Sequence, residues 1–333
     1  MTSTMTSSTV PTAMPGGTTL AMFPGQGSQR AGMAAHLLEH HPTVAEPIFR
    51  AADAAAGFEL TRLCVSGGKG DLTRTDITQP AVLATSLATW EILRAEGFRP
   101  RAVAGHSLGE FTALVAAGVL SMDSAFALVR RRGELMARVA ERTEGGMLAV
   151  IGLPAAAVER ACAEHTGTGV AEVANYNDAD QTVVSGHRAA LAEVAGAVRA
   201  AGAQKVVLLE VGAPFHCSLM SAAEAEFADE LARHNFGPAR LPVISSVTGA
   251  VLASGADARG LLRRQLACPV RWTEVLAAAE RHGATAYLEV GPGRVLTGFA
   301  KHTVDNRTVL STGDARRIDA AIREIRDQEG TLS

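Results

Sequence analysis

Short apolar runs alternate along this chain with longer segments of helical periodicity. TLAMF (Thr19–Phe23) is a block of apolar positions ended by PGQG, the pattern of a buried strand running into a loop. From Pro80 to Ala95 apolar positions recur at helical spacing among good helix formers. AVAGH (Ala102–His106) predicts a second short strand, which leads through Ser107 into a helical stretch from Leu108 to Ala117. Strands alternating with helices predict a parallel sheet flanked by helices.

Near Gly145 the pattern changes. GGMLAVIGL predicts a strand, Ala155–Glu164 a helix, and Gly169–Ala174 a strand; QTVVSG is a further strand, Arg188–Ala201 a helix and Gln204–Glu210 a strand. This β-α-β-β-α-β order fits a ferredoxin-like unit. Alternation then returns, with a helix from His216 to Arg233, a strand in LPVISS, a helix over Thr273–His282 and a strand in TAYLEVG. The expected architecture is α/β. A large domain spans 19–142 and 212–312, a ferredoxin-like domain of 143–211 is inserted into it, and 313–333 form a C-terminal helix and tail.

Composition narrows the function classes. Of 333 residues 47% are hydrophobic, enough for a sizeable core. A net charge of −3 gives no broad basic field for nucleic acid, although a local basic patch for an acidic partner stays open. The first 18 residues hold no Lys or Arg and no long apolar run, so they read as a disordered tail and not a signal peptide. No apolar stretch reaches the roughly 18–20 residues of a membrane helix. Cys64, Cys162, Cys217 and Cys268 lie far apart with no C-x-x-C pair, which argues against a disulfide framework or zinc site and points to a reducing cytoplasm.

The candidate chemistry centres on GHSLG (Gly105–Gly109). A G-x-S-x-G between a strand and a helix is a nucleophile elbow: the sharp turn lifts Ser107 Oγ clear of the sheet. The following helix offers its positive end and the Leu108 amide to an oxyanion. A serine needs a base. Nine of the ten histidines sit in polar contexts near helix ends or, for His106, beside the serine and directed elsewhere. His216 follows a turn forced by Gly212 and Pro214 and opens a helix; on these grounds it is either the base or a satisfied structural histidine. Arg132, in RRR (Arg130–Arg132), is either a solvated charge or a carboxylate ligand. Gly25-Gln26-Gly27 has Arg30 where a dinucleotide motif needs glycine, and GGKG (Gly67–Gly70) lacks P-loop spacing.

Taken together, FPGQGSQ (Phe23–Gln29), TQPA (Thr78–Ala81), GHSLGE (Gly105–Glu110), RRG (Arg131–Gly133), NYN (Asn175–Asn177), FHCSLM (Phe215–Met220), PVRW (Pro269–Trp272) and EVGPGRVLTG (Glu289–Gly298) closely resemble the malonyl-CoA:acyl carrier protein transacylases and the acyltransferase domains of polyketide synthases. The resemblance implies an α/β-hydrolase-like large domain interrupted by the ferredoxin-like one. It makes Ser107 the nucleophile and His216 the base, with no acidic third member. The carbonyl of Gln265 and the side chain of Asn177 would orient His216, and the amides of Gln26 and Leu108 would form the oxyanion hole. Arg132 would grip the malonyl carboxylate, with Phe215 and Met136 also at the substrate. Phe before the histidine goes with malonyl in this family; a substituted malonyl unit stays an alternative. The implied partners are a coenzyme A thioester and an acyl carrier protein with its phosphopantetheine arm; no metal or redox cofactor, nucleic acid or membrane is implied, and a monomer is the default. Arg188, Lys205, Arg294 and Lys301 are candidates for steering an acidic carrier. An editing thioesterase, a transferase of larger non-carboxylated groups and a non-catalytic docking module are the rival readings; Arg132 argues against the first two.

Overall fold

The computed structural model describes residues 16–68 and 70–331. Most of the expected N-terminal tail, the final two residues and Lys69 of GGKG lie outside the described residues. Gly16–Thr18, expected as tail, form a short 3-10 turn. The strands are β1 (Thr19–Phe23), β2 (Ala102–Gly105), β3 (Gly145–Ile151), β4 (Ala171–Tyr176), β5 (Gln181–His187), β6 (Lys205–Leu208), β7 (Val243–Ile244), β8 (Val270–Arg271), β9 (Ala286–Glu289) and β10 (Thr308–Ser311).

The large sheet has the order β10-β9-β1-β2-β7 and is parallel throughout. Its strands read as unbroken apolar runs because both faces are covered. Leu20 and Met22 of β1 pack with Ala104, Trp272 and Leu276 on one face. Ala21 and Phe23 pack on the other, with Val103, Trp90 and Phe111. The helix expected from Pro80 begins five residues earlier and runs over Thr75–Ala95, with Pro80 inside it. Of LPVISS only Val243–Ile244 is strand, and β10 is an edge strand the periodicity did not announce.

The small sheet has the order β6-β3-β5-β4-β8. Its first four strands pair antiparallel, and helices Ala155–Ala163 and Arg188–Ala200 close a core of Val158, Val184, Leu191, Val194 and Val198. The fifth strand, β8, pairs parallel to β4 although it lies within the 212–312 segment assigned to the large domain. The two units are therefore laced together by a shared sheet edge. A bulge between Val173 and Asn175 interrupts the β4–β5 ladder.

His216 does not open a helix as expected. It sits at φ 60° in the left-handed region, and a 3-10 turn (Ser218–Met220) separates it from the helix Ser221–Leu231. Tertiary bonds override local propensity here: the His216 amide donates to the Leu266 carbonyl at 3.1 Å. Among the described residues no helix is long and apolar enough to cross a membrane, and the four cysteines are unpaired.

Candidate active site

β1 and β2 are adjacent parallel strands, and the site lies at their carboxyl ends. β2 delivers Ser107 into the elbow at φ 52°, before the helix Gly109–Ala116. The flanking glycines are steric necessities. A Cβ on Gly105 would lie 1.9 Å from the Gly109 carbonyl carbon, and one on Gly109 would lie 2.0 Å from the Phe23 oxygen. The second approach holds the elbow against the PGQG loop. Among the described residues neither the Gln26 nor the Leu108 amide donates to another group, so both are free to meet an oxyanion.

Ser107 Oγ lies 2.7 Å from His216 Nε2. His216 Nδ1 lies 2.8 Å from the Gln265 carbonyl. A carbonyl can only accept, so Nδ1 carries the proton and Nε2 is left to accept from the serine. Gln265 is the last residue of the helix Gly255–Gln265. Its carbonyl belongs to the helix's unsatisfied, partly negative end, which supports a developing imidazolium where other serine enzymes use a carboxylate. Ser107 thus stands at a helix N-terminus and His216 at a helix C-terminus. Burial, and then the nearby Arg132 charge, push the His216 pKa down to about 3, so the free site holds a neutral imidazole at neutral pH.

Asn177 does not orient His216. Its Oδ1 pairs instead with His106 Nε2 at 2.9 Å. Both His216 nitrogens are already used, by Ser107 and by the Gln265 carbonyl, which leaves no position for an amide. His106 in turn does not point away from the site: it lines the same cavity, between Trp272 and Phe299. Burial lowers its pKa to about 4.

Arg132 is 1% exposed on the helix Met122–Arg142. Nη1 donates to Gln79 Oε1 at 2.7 Å; Nη2 donates to Ser107 Oγ at 3.0 Å and to Gln265 Oε1 at 3.1 Å. Nε is buried without a partner. Every acceptor is a neutral oxygen, while burial lowers the guanidinium pKa only to about 10. Glu110, reached through Gln265, offsets part of that burial without touching the guanidinium, so the site holds a buried cation with no anion hydrogen-bonded to it.

Gln79, Thr75, Glu110 and Ser246, given no role from sequence, complete this network. Gln79 accepts from Arg132 and donates to Thr75 Oγ1, which donates to Gln26 Oε1, so the oxyanion loop and the arginine share one hydrogen-bond chain. Gln79 Nε2 also approaches Met136 Sδ at 3.3 Å. The buried Glu110 accepts from Gln265 Nε2 and from Ser246 Oγ, each at 2.7 Å, and Gln265 Nε2 also donates to the Ser107 carbonyl. Arg30 lines the cavity near Arg317, whose charge helps to lower its pKa, after burial.

The cavity measures about 450 Å³. Gln26, His106, Ser107, Arg132 and His216 lie on its walls, with apolar surface from Met136, Met147, Val183, Phe215 and Phe299. The small sheet contributes residues from β3, β4 and β5, and the large sheet the segments that follow β1 and β2, with Gln26 and Ser107.

The likeness to known proteins runs along nearly the whole chain. A family model described as an acyl transferase domain matches residues 21–332. The malonyl CoA-acyl carrier protein transacylase of Salmonella typhimurium is 39% identical over 304 residues, covering 91% of this chain and 98% of its own. The fold superposes on an acyl carrier protein S-malonyltransferase from Vibrio cholerae with a TM-score of 0.87 at 38% identity, over 91% of this chain and 99% of the other. It also superposes on a malonyl-transacylase solved in complex with its type II polyketide synthase acyl-carrier protein, with a TM-score of 0.88 at 37% identity, over 92% of this chain and 99% of the other. A Ser–His dyad, a buried arginine and this likeness along nearly the whole chain place it in the acyl transferase family, among the malonyl-CoA:acyl carrier protein transacylases.

Proposed function

We propose that this chain moves a malonyl group from malonyl-CoA to the phosphopantetheine thiol of an acyl carrier protein, for fatty acid or polyketide synthesis. The single observation that carries this reading is Arg132, a buried guanidinium within 3.0 Å of the nucleophile with only neutral acceptors around it. A malonyl thioester supplies the missing carboxylate and the reacting carbonyl in one small molecule. An acetyl or fatty acyl group leaves the cation unpaired.

In the first half-reaction Ser107 Oγ attacks the thioester carbonyl and its proton passes to His216 Nε2. The carbonyl oxygen becomes an oxyanion held by the Gln26 and Leu108 amides. The C–S bond breaks, His216 returns the proton to the coenzyme A sulfur, and a malonyl-serine ester remains. In the second half the carrier thiol gives its proton to His216 and attacks the ester. The C–O bond then breaks and Ser107 Oγ regains the proton. The bound carboxylate also neutralises Arg132, which removes one cause of the low His216 pKa. A malonyl group thus strengthens the base that acts on it.

On this reading Phe215 and Met136 shape the α-carbon pocket, and His106 with Asn177 holds the floor beside the nucleophile. Arg294 and Lys301, exposed near the helix Val295–Thr303 whose Val295, Leu296 and Phe299 line the cavity, join Arg30 in steering an acidic partner to the mouth. Arg188 and Lys205 do not line the cavity. The chemistry needs no metal or redox cofactor, and unpaired cysteines suit a cytoplasmic enzyme. The test is transfer from malonyl-CoA to a phosphopantetheinylated carrier protein, read by mass. Stoichiometric malonyl-carrier supports the reading; release of free malonate without carrier loading favours a thioesterase.

A further inference from the structure

Away from the cavity, His36 and His41 stand with Asp319 of the C-terminal helix Ala315–Thr331. One ligand atom from each lies within 4.8 Å of the others. His36 Nε2 and Asp319 Oδ1 are 3.1 Å apart, close to the edge of a tetrahedron with metal–ligand bonds of about 2.0 Å. His40, one turn after His36 on the helix Ala35–His40, sets its ring centroid 4.5 Å from that of His36 with the planes tilted at 53°, and its side chain is 54% exposed.

We propose that these residues form a binding site for a divalent metal of the zinc type, with His36, His41 and Asp319 as ligands and His40 or water as the fourth. Nothing in the transfer reaction uses this cluster, and none of its members lines the active-site cavity. Two imidazoles and one carboxylate suit zinc and its neighbours, whereas magnesium and calcium favour all-oxygen sites. The ion would replace the proton between His36 and Asp319. It would thereby clip the C-terminal helix onto the N-terminal helices, joining residues 283 positions apart in the chain.

The test uses the full-length protein without an affinity tag, titrated with zinc chloride by calorimetry, with magnesium chloride as control. Cobalt substitution, read by visible absorption, reports four-coordinate geometry independently of activity. The expected result is one equivalent of zinc, no heat with magnesium, and a melting temperature that rises with zinc. His36→Ala and Asp319→Asn should each weaken zinc binding at least about tenfold and abolish the thermal shift. Circular dichroism without metal checks that the variants fold; should either fail, His41→Gln, which keeps a polar side chain of similar size, provides the comparison. Binding of equal strength in the wild type and in the ligand variants, or no binding and no thermal shift at millimolar zinc, overturns the site.

Discussion

Arg132 Nη2 donates to Ser107 Oγ at 3.0 Å, so on the proposed reading the guanidinium that meets the substrate's carboxylate touches the nucleophile before substrate binds. The same serine oxygen faces His216 Nε2 at 2.7 Å. Selectivity and reactivity therefore meet at one atom. An arriving carboxylate competes with the serine for the guanidinium and frees the hydroxyl for His216.

Glu110 tests how far this alignment depends on buried support. Glu110→Ala strips the acceptor from Gln265 Nε2 and Ser246 Oγ. Unpaired buried donors cost about 2–4 kcal/mol together. Glu110→Gln keeps an acceptor oxygen and should lose less than half of that. Denaturant unfolding measures both; equal losses would show that Glu110 acts through its charge alone.

The low His216 pKa sets a pH signature. With a value of about 3 in the free enzyme, the imidazole stays neutral across the usual assay range, and acylation should show no His216 titration near 6.5. Arg132→Ala removes the second cause of the depression, so the His216 midpoint should move up. NMR of the imidazole protons measures it; an unchanged midpoint would mean that burial alone sets the value. The sign for stability follows from linkage. His216 and His106 bind protons more weakly folded than unfolded, so their contribution is present above about pH 6.5 and is lost as pH falls toward their folded values of about 3 and about 4.

Phe215 should set the size limit at the α-carbon. Phe215→Ser opens space beside His216, and the preference for malonyl over methylmalonyl should fall about tenfold, the worth of one methyl group in a pocket. Competition between the two thioesters, read as the ratio of serine adducts, measures it. An unaltered ratio assigns the limit to another wall, such as Met136.

The rim cations should act on association and not on chemistry. Arg30→Glu together with Arg294→Glu should raise KM for the carrier about tenfold, flatten its salt dependence and leave loading by malonyl-CoA at saturation unchanged. Stopped transfer assays at two ionic strengths check this, and a fall in the saturated rate would contradict it.

Much of this was legible in the sequence, and the limits have physical causes. The elbow was legible because two apolar strands and a glycine frame can be read locally. Arg132 was harder, since Arg130 and Arg131 beside it are ordinary surface charges paired with Glu134 and Glu226. Yet it falls on the buried stripe of Ala125, Val129 and Met136 at helical spacing. A charged residue on an apolar stripe was the available signal, and it applies equally to Gln79 in a buried helix. The resemblance places Asn177 at His216, yet its side chain meets His106, because a motif match does not reveal where a side chain points beyond a β-bulge. The left-handed turn at His216 was hidden because tertiary hydrogen bonds to Gln265 and Leu266, distant in sequence, decide it. Strand β8 was missed for a related reason: two residues gain strand geometry only by docking on β4.

The most direct measurement of the central claim is the intact mass of the protein after mixing with malonyl-, methylmalonyl- and acetyl-CoA, in wild type, Ser107→Ala and Arg132→Ala. The account predicts one malonyl adduct on wild type and none on Ser107→Ala. On Arg132→Ala malonyl loading should slow by roughly two to three orders of magnitude, the kinetic equivalent of about 3–4 kcal/mol, and acetyl should become competitive. Wild type that takes acetyl as readily as malonyl, or that only releases free acid, would contradict it.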